Sequence, residues 1–317
     1  MSPQPSASVS RCKIYRVVLR DHLGRRGSLL QVWSRASMNN RSTNGLSRYL
    51  SRRKDEVQGW FSYVDAQLLG TITNLHNERG FRGAVAEIGV HHGKMFIALC
   101  LSLSQGERAY AIDVFDDQSL NIDKSGRGDR AIFESNLRKF GVPFDNVVIR
   151  QCSSLDVRAE EILRSVGSVR FFSIDGGHWR EIVENDLSIA EGCLSEFGVI
   201  ALDDFHRPEW PEVSLGYFDW CVKRRVLLEP FAIGFNKLYI CRPEVRAHYQ
   251  AAIMNNPSLT MFRVKEVVFQ GISMPVFSQY LFPDYGMRKN LTKYLLASHP
   301  KTLSALRNIK AKLKPRR

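Results

Sequence analysis

No run of about 18 consecutive apolar residues occurs in this 317-residue chain, which excludes a transmembrane helix. The N-terminus also lacks the continuous apolar core of a signal peptide, so no secretory leader is expected. The six cysteines are Cys12, Cys100, Cys152, Cys193, Cys221 and Cys241. None are spaced as a zinc knuckle or a Cys-x-x-Cys redox pair, and several lie inside apolar segments, where Cys behaves as a small hydrophobe. Free thiols in a reducing, cytoplasmic setting are expected. Internal repeats are absent too. Acids are scarce at both ends: residues 1–54 carry twelve Lys or Arg against Asp21 alone, and residues 288–317 carry ten against none. The net charge of +13 thus splits into +11 and +10 at the ends, which leaves −8 for residues 55–287. An acidic centre is a poor footprint for a nucleic-acid-binding core, and it suits an enzyme that holds a divalent cation.

What is present is a core-forming composition, 44% hydrophobic, laid out in alternating segments. Apolar runs of strand length cover Ala84–Val90, Ala109–Val114, Val147–Arg150, Val169–Ile174, Gly198–Leu202, Pro230–Ile233 and Lys237–Ile240. Helix-length segments separate the first five: Lys94–Leu103, Arg130–Phe140, Val157–Val166 and Ile182–Leu194. Nearly all-apolar strands joined by helices mark a parallel sheet buried on both faces. Right-handed crossovers then predict an α/β, doubly wound, mostly parallel seven-stranded sheet, with its crevice at the carboxyl ends of the strands. The short link around Gly234–Asn236 predicts an antiparallel hairpin at the sheet edge. The expected organisation is a basic extension over 1–54, a catalytic domain over 55–245, a C-terminal extension packed on it over 246–287, and a basic tail over 288–317. For the first stretch a solvated arm, an anionic-lipid or glycan surface and an organelle transit peptide all stay open. In the tail, Leu303, Leu306, Ile309 and Leu313 have the spacing of a short basic amphipathic helix.

The first strand runs into Glu87-Ile88-Gly89-Val90-His91-His92-Gly93-Lys94, a Glu-x-Gly-x-x-x-Gly pattern at a strand-to-helix junction. Glycines there let the backbone turn tightly against a ligand. Glu87 stands where a pyrophosphate loop would begin with glycine; a carboxylate there repels a diphosphate but can orient an amino-acid ammonium. The alternative is a plain glycine turn with a surface acid. Asp113 ends the second strand, where an acid can accept bonds from both ribose hydroxyls or else cap the next loop. Ser153 and Ser154, after the third strand, can face an adenine edge or cap a helix. His91 and Lys94 complete the cofactor-side candidates, and His92 beside them is read as a cofactor contact.

The fourth strand ends Ile174-Asp175-Gly176-Gly177-His178 and the fifth Leu202-Asp203-Asp204. Neighbouring strands would bring Asp175, Asp203 and Asp204 to one point on the crevice rim. Such like charges repel unless a cation joins them, and oxygen ligands select Mg²⁺, Mn²⁺ or Ca²⁺. Loop capping is the alternative for Asp203 and Asp204. His178 is placed to take a proton near neutral pH, or is a structural histidine; His206, farther along a Pro-containing loop, is a weaker competitor. The polar stretch from Asp113 to Asp129 lies at the rim and could close over substrate, and Trp210-Pro211-Glu212-Val213 could wall the acceptor.

In this order the motifs resemble the class I methyltransferases, in particular the metal-dependent small-molecule O-methyltransferases that act on macrolide sugars and cephalosporin precursors. The resemblance spans Tyr63 to Cys241. It implies S-adenosyl-L-methionine as cofactor, with Glu87, Gly89 and Gly93 along its methionine part and Asp113 on its ribose. It implies Asp175, Asp203 and Asp204 as Mg²⁺ (or Mn²⁺) ligands and His178 as base. Many of these relatives read Asp-Gly-Asp-His, whereas Gly177 stands here. The expected reaction is O-methylation of a hydroxyl on a sugar, glycan or natural product. Two other readings are kept: a nicotinamide-dependent oxidoreductase, and a non-enzymatic cofactor sensor whose basic ends bind membrane or polyanion. The expected partner is a small-molecule or glycan acceptor, with no specific nucleic acid; peripheral contact with anionic membrane and a homo-oligomer stay open.

Overall fold

The computed structural model describes residues 45–279, apart from 225 and 226. Most of the basic N-terminal stretch and the whole C-terminal tail, with its amphipathic Leu303–Leu313, lie outside the described residues. Among the described residues no helix is long and apolar enough to cross a membrane, and the described cysteines are all free.

Strand β1 (Ala84–Ile88) is buried at every position, and so is β4 (Val169–Ile174). With β2 (Ala109–Asp113), β3 (Val147–Gln151) and β5 (Leu194–Leu202) they form the parallel part of the sheet. Side chains alternate between two apolar layers, as a strand's period of two requires. Val85, Ala111, Phe171 and Ala201 meet helices α1 (Tyr63–Arg79), α2 (Lys94–Leu101) and α3 (Arg130–Lys139) on one face. Ala86, Ile112, Phe172 and Ile200 meet α4 (Ala159–Val166), α5 (Arg180–Cys193) and α6 (Pro211–Arg224) on the other. The hairpin of β6 (Glu229–Ile233) and β7 (Leu238–Cys241) inserts antiparallel beside β5. After α7 (Pro243–Met254), strands β8 (Arg263–Phe269) and β9 (Ile272–Phe277) turn through Gln270 and Gly271, both at positive φ, and β9 joins β6.

The sheet therefore has nine strands in the order β3-β2-β1-β4-β5-β7-β6-β9-β8, two more than the seven expected. The extra pair comes from the stretch read as a C-terminal extension. β8 is exposed or half-exposed at every position, so it carries no apolar run to betray it. The core also starts ahead of residue 55: Leu46, Tyr49 and Leu50 are buried, and the Tyr49 hydroxyl donates to the Lys94 carbonyl at 2.7 Å. This short segment braces the start of α2, directly behind the cofactor-side turn. Tyr49→Ala is expected to lower stability by about 3–5 kcal/mol, the scale for removing a buried aromatic ring. A urea titration would register it as a lower midpoint at unchanged slope; a change below about 0.5 kcal/mol would make the segment an appendage.

Candidate active site

Backbone crowding sets the site. Gly89 has φ 79°, and a Cβ there would lie 1.7 Å from the Asp175 carbonyl oxygen. The ends of β1 and β4 approach so closely that only glycine fits between them. That approach seats the turn after β1 against the first acid of the chemistry side. Asp113 tightens the turn from β2: its Oδ2 accepts from the His91 N–H at 2.7 Å and its Oδ1 from the Phe115 N–H at 2.6 Å. Burial pushes the Asp113 carboxyl up, against the pull of these donors. A carboxylate has about four acceptor positions, so both oxygens keep capacity for a ligand.

A cavity of about 690 Å³ opens at this rim. Gly89, His91, Asp113, Ser153 and Ser154 line one part of it; Asp175, His178, Asp203 and Asp204 line another. The remaining cofactor-side candidates do not reach it. Gly93 has φ 88° and lies against Phe133, so its part is packing. Lys94 Nζ is engaged by the Gly59 carbonyl and Asp55. Glu87 sits beneath the wall, fully buried, with Oε2 unpartnered; burial pushes its carboxyl up to about 8, opposed in part by Lys237. Ser153 also caps, its Oγ accepting from the Leu155 N–H at 3.3 Å. His92 and His206 are not on the cavity wall.

The register Ile174↔Leu202 between β4 and β5 sets Asp175 beside Asp203 and Asp204. Asp203, expected as a third ligand, lines the cavity and is also tied to protein donors. Its Oδ2 accepts from the buried Lys237 ammonium, and its Oδ1 from Asn236 Nδ2 at 2.6 Å and from the Asp204 N–H at 3.0 Å. The atoms that converge instead belong to Asp175, His178 and Asp204, all within 4.8 Å of one another. Asp204 holds a left-handed φ of 55°, a strained conformation for a residue with a side chain. Asn236 Nδ2 also donates to its Oδ1 at 2.7 Å.

His178 departs from the near-neutral titration expected of it. Its Nε2 lies 2.8 Å from Asp204 Oδ2 and its Nδ1 2.6 Å from Asp123 Oδ2, while Trp210 stacks on the ring at 4.1 Å. Burial works against its charge, but the two carboxylates win and raise it to about 9. In return, and against their own burial, His178 holds Asp123 well below the carboxylate range and Asp204 below it. Asp175 has less relief: burial first, then the charge on Asp203, drives its carboxyl far up, and the Lys237 ammonium offsets only part of this. Asp123, Asp175, Asp203 and Asp204 face Lys237, His178 and, 3.9 Å from Asp204 Oδ1, Arg207 as cations, and the oxygens of Asp175 and Asp204 open on the cavity beside the His178 ring. This donor set fits a divalent cation.

Sequence reasoning passed over Asp123, Asn236 and Lys237. Lys237 carried a signal: a charge opening an otherwise apolar edge strand needs a buried partner. Asp123 lies in the polar rim loop that was expected to be able to close over substrate, but the residue itself was given no role.

Residues 86–205, from β1 to just beyond Asp204, match the family model described as a methyltransferase domain. That stretch, 120 of the 317 residues, is similar to a methyltransferase domain. Among solved structures, the chain is similar to the O-methyltransferase NovP, at 14% identity over 67% of this chain and 98% of that one, with a TM-score of 0.49. It is similar to an O-methyltransferase from Bacillus cereus in complex with SAH, at 14% identity, 67% and 98% coverage and a TM-score of 0.43. It is also similar to the O-methyltransferase TomG from Streptomyces achromogenes in complex with SAM, at 16% identity, 65% and 96% coverage and a TM-score of 0.40. No curated protein matches the sequence.

Proposed function

We propose that this methyltransferase moves the methyl group of S-adenosyl-L-methionine to a hydroxyl of a small acceptor, a sugar, glycan or natural product bearing neighbouring hydroxyls. The observation that carries the reading is one shared cavity, with the Gly89–Asp113 wall on one side and the Asp175–His178–Asp204 group on the other. The cofactor supplies an electrophilic methyl group. Asp113 would hold its ribose, and Glu87, buried under the turn, would balance its ammonium from below. Fixing the acceptor oxygen in line with the methyl group contributes roughly 7–11 kcal/mol of the barrier. Asp175 and Asp204 would hold a divalent cation, which supplies Lewis acidity to a bound hydroxyl. His178, freed from Asp204, would take that hydroxyl's proton at Nε2, worth about 10²–10⁴ in rate. The exposed Trp179 and Ile122 and the half-buried Trp210 line the same cavity and would wall the acceptor.

The test is transfer of isotope-labelled methyl from S-adenosyl-L-methionine to a panel of glycosides and polyhydroxylated natural products. Binding of NAD in place of S-adenosyl-L-methionine in calorimetry would instead favour the oxidoreductase reading. Asp113→Ala is expected to weaken cofactor binding by at least ~1 kcal/mol, the scale of a hydrogen bond to a charged group. Unchanged affinity would remove Asp113 from the ribose site.

A further inference from the structure

The rim loop between β2 and α3 carries a carboxylate with no assigned task. Asp123 is almost fully covered: its side chain is 5% exposed. Its Oδ2 accepts twice from His178, from the backbone N–H at 2.9 Å and from Nδ1 at 2.6 Å. Its Oδ1 accepts from the Ser125 N–H at 2.9 Å and the Ser125 hydroxyl at 2.6 Å. The loop that presents it is cross-tied, with Asn121 Nδ2 donating to the Ser125 carbonyl at 3.0 Å. Against the other side of the His178 ring, Trp210 stacks at 18° to its plane. Rotation of the imidazole is thus blocked by a flat neighbour and by a two-point anchor.

We propose that Asp123 is the positioning residue of this methyltransferase: it keeps the His178 proton on Nδ1 and turns Nε2 toward the cavity. This rests on the reading of His178 as base. A carboxylate can only accept, so the ring nitrogen facing Asp123 must carry hydrogen. Asp204 makes the same demand of Nε2 at 2.8 Å, but Asp123 is the firmer partner, since it also holds the His178 backbone N–H and is itself fixed by Ser125. When the ring loses one proton to become neutral, the hydrogen on Nδ1 is the one retained and the lone pair falls on Nε2, toward the reacting space. An orienting acid behind a catalytic histidine works in this way elsewhere by fixing tautomer and direction without itself gaining the proton. The same loop begins at Asp113 on the cofactor wall, so the cofactor end and the base end of the cavity are shaped by one segment.

The experiment compares full-length wild type with Asp123→Asn, Asp123→Glu and His178→Gln. Asparagine keeps the shape but can offer an amide N–H to Nδ1, which favours the wrong tautomer. Asp123→Asn is expected to lower kcat on the order of 10²-fold while the KM for S-adenosyl-L-methionine changes by less than about 2-fold. Asp123→Glu should recover part of the loss. Long-range ¹H–¹⁵N spectra of histidine-labelled protein, at a pH where the ring is neutral, should show His178 with Nδ1–H in wild type and Nε2–H in Asp123→Asn; His178→Gln assigns the signal. An Asp123→Asn enzyme with wild-type kcat and an unmoved tautomer would overturn the proposal, and so would a loss confined to cofactor KM. His178→Gln at full rate would overturn the base reading and the proposal with it. A slow His178→Gln beside a full-rate Asp123→Asn would overturn the proposal alone.

Discussion

Asp204→Asn is expected to lose divalent-metal binding and at least about 10²-fold in turnover. Changing a group that merely supports a metal ligand already costs about 10–100-fold, and Asp204 would be a ligand itself. A neutral amide also removes one of the charges that a divalent cation would balance. Chelation should inactivate the wild type, and Mg²⁺ or Mn²⁺ should restore it. The accompanying pH dependence has a definite sign. His178 is protonated below about 9 while both Asp123 and Asp204 face it, so its capacity as a base rises with pH through that value. Drawing the Asp204 charge toward a cation should move this limb to lower pH, and His178→Ala should remove the limb while leaving cofactor affinity intact. Full activity after chelation would make the acid cluster structural.

Lys237→Met is expected to destabilise the domain by about 3–5 kcal/mol, the range for breaking a buried ion pair from one side. Lys237 and Asp203 are almost completely buried and bonded to each other. Burial alone would lower the ammonium's pKa, but Asp203 and Asp175 hold it above its ordinary value. Without it, Asp203 is left charged in the interior beside Asp175 and Asp204. Pairing Lys237→Met with Asp203→Asn should recover part of the stability, because the uncompensated charge goes as well. Thermal unfolding of the two single variants and the double variant measures this coupling; simple additivity would show that the pair does not interact energetically.

Much of the site was legible because it lies where strands end. Asp113, Asp175, Asp203 and Asp204 each close an apolar run, and in a parallel sheet those ends share one rim. Gly89 was legible as a turn, though its need for glycine comes from the Asp175 carbonyl, far away in sequence. Gly93 and Lys94 looked equivalent to it by proximity, yet one faces Phe133 and the other reaches back to Asp55. Spacing along a turn cannot tell which side chains point into the crevice.

By itself the sequence determined the doubly wound sheet, its edge hairpin, the acidic centre and the carboxylates at the rim. Local apolar periodicity and strand-end position suffice for these, since each depends on neighbours within a few residues. Only the tertiary structure decided the roles inside the cluster. Lys237 comes from the β6–β7 hairpin to engage Asp203, and Asp123 comes from the rim loop to hold His178. It also decided the charge state of that histidine, and the addition of β8 and β9 to the sheet. These outcomes depend on pairings across tens of residues, where burial turns a modest Coulomb term into the dominant one.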